Sequence, residues 1–318
     1  GYGLDEKIWG GEVLLSNLSA FERFANFAYI PLPGGAAAIK NPARIAYGAL
    51  WAFDLLDHPA AQAFIKSSLS EVDILERMIE QGINSPQTSS VGRLFDAASA
   101  LLGICTQPHY EGEAAILLEA SLYPYLFREA QSAPSSDAAE SAVKTNEAQA
   151  NELAAGQKNE SYAEKNSCAE SFAKQLNFDS QELKQHAEAY RIELVKNVAT
   201  KQSSAEDTSV LLLDAAGLFK ALLDDIQAGL PTGFIAQCFH DAFVRVLVEM
   251  AELVRAVYGI SIVALGGGVF MNRYLTEQAL IQLQERGFTV AMNKDLPPND
   301  ASISYGQAVL GWQAQNKE

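Results

Sequence analysis

From about Asn41 to Leu102, apolar residues recur at three- and four-residue spacing, in ARIAYGALWAFDLL, SEVDILERMIEQGI and GRLFDAASALLG. That is the period of a helix with one buried face. These stretches therefore predict amphipathic helices, the last of them ended by Gly103, a residue suited to a left-handed C-cap. EGEAAILLEASLYPYLF continues the helical pattern and breaks near Pro124. Ahead of this block, residues 1–35 are glycine-rich. GYGLDEKIWGGEVLL reads as a loop or hairpin with Trp9-Gly10-Gly11 at the turn, followed by a short strand. Pro31, Pro33, Gly34 and Gly35 make a second break.

The final third changes period. VLLLDAAGLFKALLDDIQAG predicts a strand, a turn and a helix. PTGFIAQCFHDAFVRVLVEMAELVRAVYG predicts a long amphipathic helix. Then follow SIVALGG as a short buried strand, MNRYLTEQALIQLQERG as a helix, FTVAMN as a strand, and SISYGQAVLGWQ as a last helix. Strands alternating with helices predict a mostly parallel sheet with right-handed crossovers. Ligands on such sheets sit at the carboxyl ends of strands.

The stretch from about Gln131 to Glu170 has Val143, Leu153 and Tyr162 as its only large apolar residues. It cannot bury enough surface to offset the ordering of its backbone. It reads as an insertion, either a mobile segment or a solvated helix, and residues near 178–200 recover some helical pattern. The expected organisation is 1–129, an insertion over 130–207, and an α/β unit over 208–318.

Composition narrows the partners. The 318 residues carry a formal net charge of −16. An acidic surface repels nucleic-acid phosphates and anionic lipid, so neither is expected as a partner. The three cysteines, Cys105, Cys168 and Cys238, have no metal-like pairing and point to no disulfide framework. With no apolar run of transmembrane length and no signal peptide, a reducing cytoplasm is the expected compartment.

Gly266-Gly267-Gly268 lies between an apolar strand and a helix. Glycines let a backbone approach a ligand closely. The free N–H groups of the following helix attract a phosphate or another polar atom, and Asn272 follows one turn later to reach a base or ribose. The spacing matches neither G-x-G-x-x-G nor a Walker loop; a plain strand-to-helix turn is the alternative. Asp96, among Phe95, Ala97 and Ala98, either caps a neighbouring helix or accepts ribose hydroxyls. In EGEAA, Glu111 and Glu113 suit a helix start, whereas Gly112 between them weakens one unless something approaches closely. Asp300, ending PPND, suits an N-cap or an oxygen ligand for a metal. His240 reads as a satisfied core histidine, and His58, His109 and His186 have no ligand spacing among them. Lys40 and Arg44 steady an anion or simply start a solvated helix. None of the cysteines has the surroundings of an activated nucleophile.

Taken in order, IWGGE, LPGG, NSPQTSSVGRLFDAASALLG, YEGEAA, LGGGVFMNR and PPNDASISYGQA resemble the motif series of the hydrogenase maturation carbamoyltransferases, the HypF family. The resemblance covers roughly 1–125 and 210–318 and implies the TsaD-like domain of that family. Its fold is the two-lobed α/β superfold of actin, heat-shock ATPases and sugar kinases, here with helical insertions and without the N-terminal part of the first lobe. The implied activity is carbamoyl transfer from carbamoyl-adenylate to the C-terminal cysteine of a HypE-like partner, toward the cyanide ligands of nickel–iron hydrogenase. Adenine nucleotide and a divalent metal, iron or zinc, are the implied cofactors. By this resemblance Gly266, Gly267, Gly268 and Asn272 match the adenosine loop, and Asp96 matches the ribose acid. Gly112 with Glu113 matches a further nucleoside contact, Gly1-Tyr2-Gly3 the loop near the phosphate and carbamoyl group, and Asp300 a metal ligand. The family's paired metal-binding histidines lie upstream of the GYG match, so the metal site is expected to be incomplete. Ala36 and Ala301 stand where the family usually has an acid and a glycine. The alternatives are a related O-carbamoyl- or threonylcarbamoyltransferase, disfavoured for a tRNA substrate by the acidic charge, and a non-catalytic scaffold that binds the partner.

Overall fold

Strand β2 (Phe21–Phe27) runs through the middle of a four-stranded sheet of order β1-β2-β6-β5 in the computed structural model. The structure describes residues 1–3, 5–17, 19–123, 180–196 and 211–315; most of the expected insertion lies outside them. Strand β1 (Glu12–Ser16) pairs antiparallel with β2, β6 (Leu211–Asp214) parallel with β2, and β5 (Glu193–Lys196) antiparallel with β6. This sheet is mixed, against the expectation of a mostly parallel one. The reason is local: Asn17 Oδ1 accepts the amides of Ser19 and Ala20 and turns the chain straight back from β1 into β2. β2 itself is not legible in the pattern, because Glu22, Arg23 and Asn26 interrupt its aromatics. Short β3 (Ile30–Pro31) and β4 (Gln87–Thr88) form a separate pair.

The predicted stretches hold α2 (Pro42–Ala52), α4 (Val72–Glu80), α5 (Val91–Leu101) and α6 (Glu113–Ala120), and the structure adds the short α1 (Ala36–Ile39) and α3 (Pro59–Ser68). Gly103 past α5 has φ +68°, as a left-handed cap needs. Later come α7 (Ser180–Ala189), α8 (Ala216–Ala228) and the 27-residue α9 (Thr232–Tyr258). The chain then runs through β7 (Ile262–Leu265), a 3₁₀ turn at Gly268–Met271, α10 (Arg273–Glu285), β8 (Thr289–Met292) and α11 (Ile303–Gln315). β7 and β8 pair in parallel, in a small sheet of their own.

The amino-terminal hairpin turns at Asp5-Glu6-Lys7, where Glu6 takes φ +59°, not at Trp9-Gly10-Gly11. Gly3 N–H donates to Lys7 O at 2.8 Å and Trp9 N–H to Gly1 O at 2.8 Å. Gly11 serves close approach instead: a Cβ there would lie 2.4 Å from the Ser89 carbonyl oxygen. Arg23 holds the hairpin from β2. Its guanidinium donates to Asp5, Glu12 and Tyr29 and stacks 4.0 Å over the Trp9 ring.

Most buried apolar residues form one cluster around α9. Phe239 and Phe243 of α9 meet Phe95 of α5 at 5.2 and 5.0 Å between ring centroids, Phe219 of α8 meets Phe239 at 5.9 Å, and Phe27 of β2 meets Phe243 at 5.5 Å. A smaller cluster of Val248, Leu265, Ala279, Leu283 and Phe288 joins the far half of α9 to α10 and the small sheet. β7 departs from the expected buried strand: Leu265 is buried but Ile262 is 67 % exposed, because only one face of the two-stranded sheet is covered. No helix among the described residues is long and apolar enough to cross a membrane.

The two situations predict different costs. Phe239→Ala should lower unfolding free energy by about 3–5 kcal/mol. Ile262→Ala should change it by less than about 0.5 kcal/mol. Urea unfolding of this chain checks both, and equal shifts for the two variants would contradict the burial described.

Candidate functional site

Helix α5 carries Asp96 on its buried side; the residue is 3 % exposed. Its carboxylate pairs with Arg93 one turn earlier, at 2.9 Å. Burial pushes the Asp96 carboxyl up to about 6, against the pull of Arg93 and with added repulsion from Glu111. Among the described residues the Asp96 carboxylate pairs with Arg93 and caps no neighbouring helix. The Arg93 Nε is buried without a hydrogen-bond partner. Arg93 is a site residue that motif reading missed, although its i−3 spacing from Asp96 was visible.

Gly112 and Glu113 start α6, which packs on α5, and Glu111 just before them is near enough to act on Asp96. Gly112 is the N-cap with φ +87°, a left-handed conformation that glycine adopts without strain. A positive φ thus accounts for the glycine by itself. A Cβ at Gly112 would meet nothing within 4 Å, so the position is also open. Glu113 accepts the His109 backbone N–H and lies near the His109 ring. The backbone bond comes first among the causes that hold its carboxyl below the ordinary range. Glu113 and Asp96 both raise the pKa of the Cys105 thiol, after burial. Cys238 is pushed up by burial as well. Neither is an activated nucleophile; Cys168 lies outside the described residues.

The glycine loop leaves β7 exposed at all three glycines. Gly267 has φ +108° and donates its N–H to Pro298 O at 2.7 Å. A Cβ at Gly266 or Gly267 would meet no atom within 4 Å. The expectation of free helix N–H groups beyond the loop needs correction. Tyr274 N–H donates to Glu119 Oε1 at 3.0 Å, and Leu275 N–H to Asn272 Oδ1 at 2.8 Å. Asn272 is thus the N-cap of α10, and Glu119 of α6 takes a second donor. Asn272 Nδ2 lies 2.9 Å from His240 Nε2. The side chain read from sequence as a free nucleoside contact is engaged on both sides within the protein. His240 is fully buried, as expected of a core histidine.

Gly1-Tyr2-Gly3 joins the α5 side. A Cβ on Gly3 would overlap the Trp9 indole at 2.1 Å, and the strand that follows hydrogen-bonds the start of α5 through Gly10 O and Val91 N–H at 3.2 Å. Tyr2 is 72 % exposed. Asp300 instead neighbours the glycine loop through Pro298 and Asn299, whose Nδ2 lies 3.1 Å from Met271 Sδ. The N-cap at PPND is Asn299, accepting Ala301 N–H at 3.1 Å, and Asp300 is exposed. Among the described residues no three His, Cys, Asp or Glu side chains gather as a metal requires, so Asp300 alone makes no metal centre. Arg44 pairs with Glu71, and Lys40 is exposed.

The sequence matches the family described as carbamoyltransferase, Kae1-like domain, second subdomain, over residues 1–196 and 178–307. Carbamoyltransferase HypF of Synechocystis is 27 % identical over 99 % of this chain and 33 % of its own length. HypF2 of Cupriavidus necator is 30 % identical over 98 % of this chain and 32 % of its own. Among solved structures, full-length HypF in the phosphate- and nucleotide-bound form superposes with a TM-score of 0.72 at 28 % identity, over 100 % of this chain and 32 % of that one. HypF of T. kodakarensis superposes at 0.63 and 25 % identity, over 98 % of this chain. The chain spans about a third of the length of these relatives. It has their α/β Kae1-like fold and belongs to the HypF carbamoyltransferase family, through the second subdomain of the Kae1-like domain.

Proposed function

We propose that this chain supplies an adenine-nucleotide cleft of a cytoplasmic carbamoyltransferase, which moves a carbamoyl group from carbamoyl-adenylate to the C-terminal cysteine of a HypE-like partner. The observation that carries the reading is the superposition of the whole chain on a HypF described as phosphate- and nucleotide-bound. The arrangement of residues supports it. A buried carboxylate lies on α5, α6 with its open N-cap packs on α5, and an unobstructed glycine loop adjoins α5 through the 3₁₀ turn.

On this reading Asp96 accepts the ribose hydroxyls, with Arg93 holding it in place, and Gly112 leaves room for the nucleoside. Gly266, Gly267 and Gly268 admit the ligand's backbone-side surface. Asn272 shapes that wall with the one Nδ2 hydrogen not shared with His240. Gly1, Tyr2 and Gly3 border the α5 side. The partner's thiolate attacks the carbamoyl carbon, the bond from that carbon to the adenylate oxygen breaks, and AMP leaves with the electron pair. The attacking group comes from the partner, consistent with the buried, weakly acidic Cys105 and Cys238. This chain's part is to position the anhydride and keep water from it. Asp300 offers at most one oxygen ligand, and no step here runs through a metal. The carbamoyl thioester so formed would lead to the cyanide ligands of nickel–iron hydrogenase. The direct test is carbamoyl transfer to a peptide with the partner's C-terminal cysteine, using this chain with the remainder of its relatives' length supplied. Absence of transfer would refute the proposal.

Two predictions concern Asp96. Asp96→Asn, folded by circular dichroism, should weaken AMP binding in calorimetry about tenfold or more, since hydrogen bonds to a charged group are strong. An unchanged Kd removes Asp96 from the site. The second follows from titration. Ribose hydroxyls donate to the ionised carboxylate, and the free Asp96 carboxyl is pushed up to about 6. The ionised fraction is nearly complete above pH 7 and falls as the pH drops through 6. AMP affinity should therefore be level from pH 7 to 8 and about tenfold weaker at pH 5. The decline should vanish in Asp96→Asn; the same decline in both proteins would assign it to another group.

A further inference from the structure

His240 is a buried titratable group that the proposed chemistry leaves unused, and its hydrogen bonds fix more than packing. Its Nδ1 lies 2.7 Å from Ala236 O. A carbonyl only accepts, so Nδ1 carries the proton and Nε2 presents a lone pair. The group 2.9 Å from Nε2 is the Asn272 side-chain amide, which must turn its NH₂ toward the ring. Asn272 Oδ1 is then directed to Leu275 N–H at 2.8 Å. Tautomer, amide orientation and helix cap thus follow from one another. Burial lowers the His240 pKa to about 4, so the ring stays neutral and the acceptor is kept at physiological pH.

The same ring touches residues of both α5 and α10. Phe95, adjacent to Asp96 in α5, meets His240 edge-on at 5.0 Å. Tyr274, in the first turn of α10, meets it edge-on at 5.7 Å and donates its hydroxyl to Asp241 at 2.8 Å. The glycine loop has few attachments of its own: its three glycines are exposed, and Gly267 is tied to Pro298. After the loop Val269 and Phe270 pack partly against the apolar clusters, and Asn272 is the residue whose side chain hydrogen-bonds both the start of α10 and His240.

We infer that His240 is a positioning residue: by holding the Asn272 amide in one orientation, it sets the glycine loop relative to the Asp96 wall. The binding half of this inference rests on the adenine-nucleotide reading; the bond's effect on the loop does not. A histidine that only fills space would be replaced by phenylalanine with no change at the loop.

The test uses this whole chain with AMP as probe and two readouts, calorimetry and amide hydrogen exchange over residues 266–276. His240→Phe keeps an aromatic ring but has no acceptor. It should speed exchange at the loop and at Leu275 about tenfold and weaken AMP binding about tenfold, the effect of one buried hydrogen bond. His240→Gln, with an amide oxygen in place of Nε2, should recover part of both. In an Asn272→Ala background His240→Phe should add less than about twofold to the loss of affinity. Asn272→Ser keeps a capping oxygen but is too short to reach His240. It adds no charge and leaves the His240 ring in place, so it decides the matter if His240→Phe does not fold, and loop exchange should rise in it too. Unchanged exchange in folded His240→Phe and in Asn272→Ser overturns the inference, as does full additivity in the cycle. If the unaltered protein binds no AMP, the nucleotide reading fails, and the exchange results alone decide the His240 link.

Discussion

Helix α9 has more apolar surface to remove from water than any single neighbour can cover. Its first half carries Phe239 and Phe243 into the main cluster, against α5, α8 and β2. Its second half carries Val248 into the smaller cluster with α10 and β7–β8. Each fully buried side chain of this size is worth about 1.5–3 kcal/mol, so several of them fix the register of α9 against all its neighbours. α5 and α10 have little direct need of one another, yet both are indexed to the same turn of α9. Phe95 and Asn272 meet at His240, and Tyr274 reaches Asp241 one residue on. The proposed cleft would take its geometry from that shared reference.

Local physics explains what was legible in the sequence. α4 buries one face through Leu75 and Ile79, and a period near 3.6 reports that directly; α2 and α5 are buried nearly all round, and their dense small and apolar residues mark them as helices of the interior. The step from β6 to α8 and the glycine loop were legible for the same reason: an apolar run followed by small residues has few ways to fold. β2 escaped because its polar members are specified by long-range partners. Arg23 is placed by Asp5, Glu12, Tyr29 and Trp9, from both sides of the strand in sequence. The burial of β7 was misjudged because an apolar tetrapeptide does not say how many of its faces will be covered.

Site residues divide along the same line. Asp96 was recognisable as an acid among apolar neighbours, and the structure replaces the capping alternative with an ion pair to Arg93. The N-terminus of α10 was expected to offer free donors. Glu119, 155 residues away from Tyr274, takes one of them. Nothing in LGGGVFMNR announces that acid. It arrives only because Glu119, in the last turn of α6, reaches the start of α10, and a carboxylate at a helix start is favoured by the helix dipole.

That occupied helix end constrains how a nucleotide can lie in the proposed cleft. Phosphate needs donors or positive charge. The α6 side offers Asp96, Glu111 and Glu113, with Arg93 already neutralising Asp96. A phosphate placed there would face uncompensated carboxylates, whereas ribose hydroxyls would find acceptors. The start of α10 is also spent, its Tyr274 and Leu275 donors being bonded. Within the proposed reading, the nucleoside end therefore belongs against α5 and α6. The phosphate must be served by groups outside this acidic corner. An acidic corner that selects hydroxyl donors and repels phosphate gives the ligand one orientation, which positioning the carbamoyl carbon for an incoming thiolate requires.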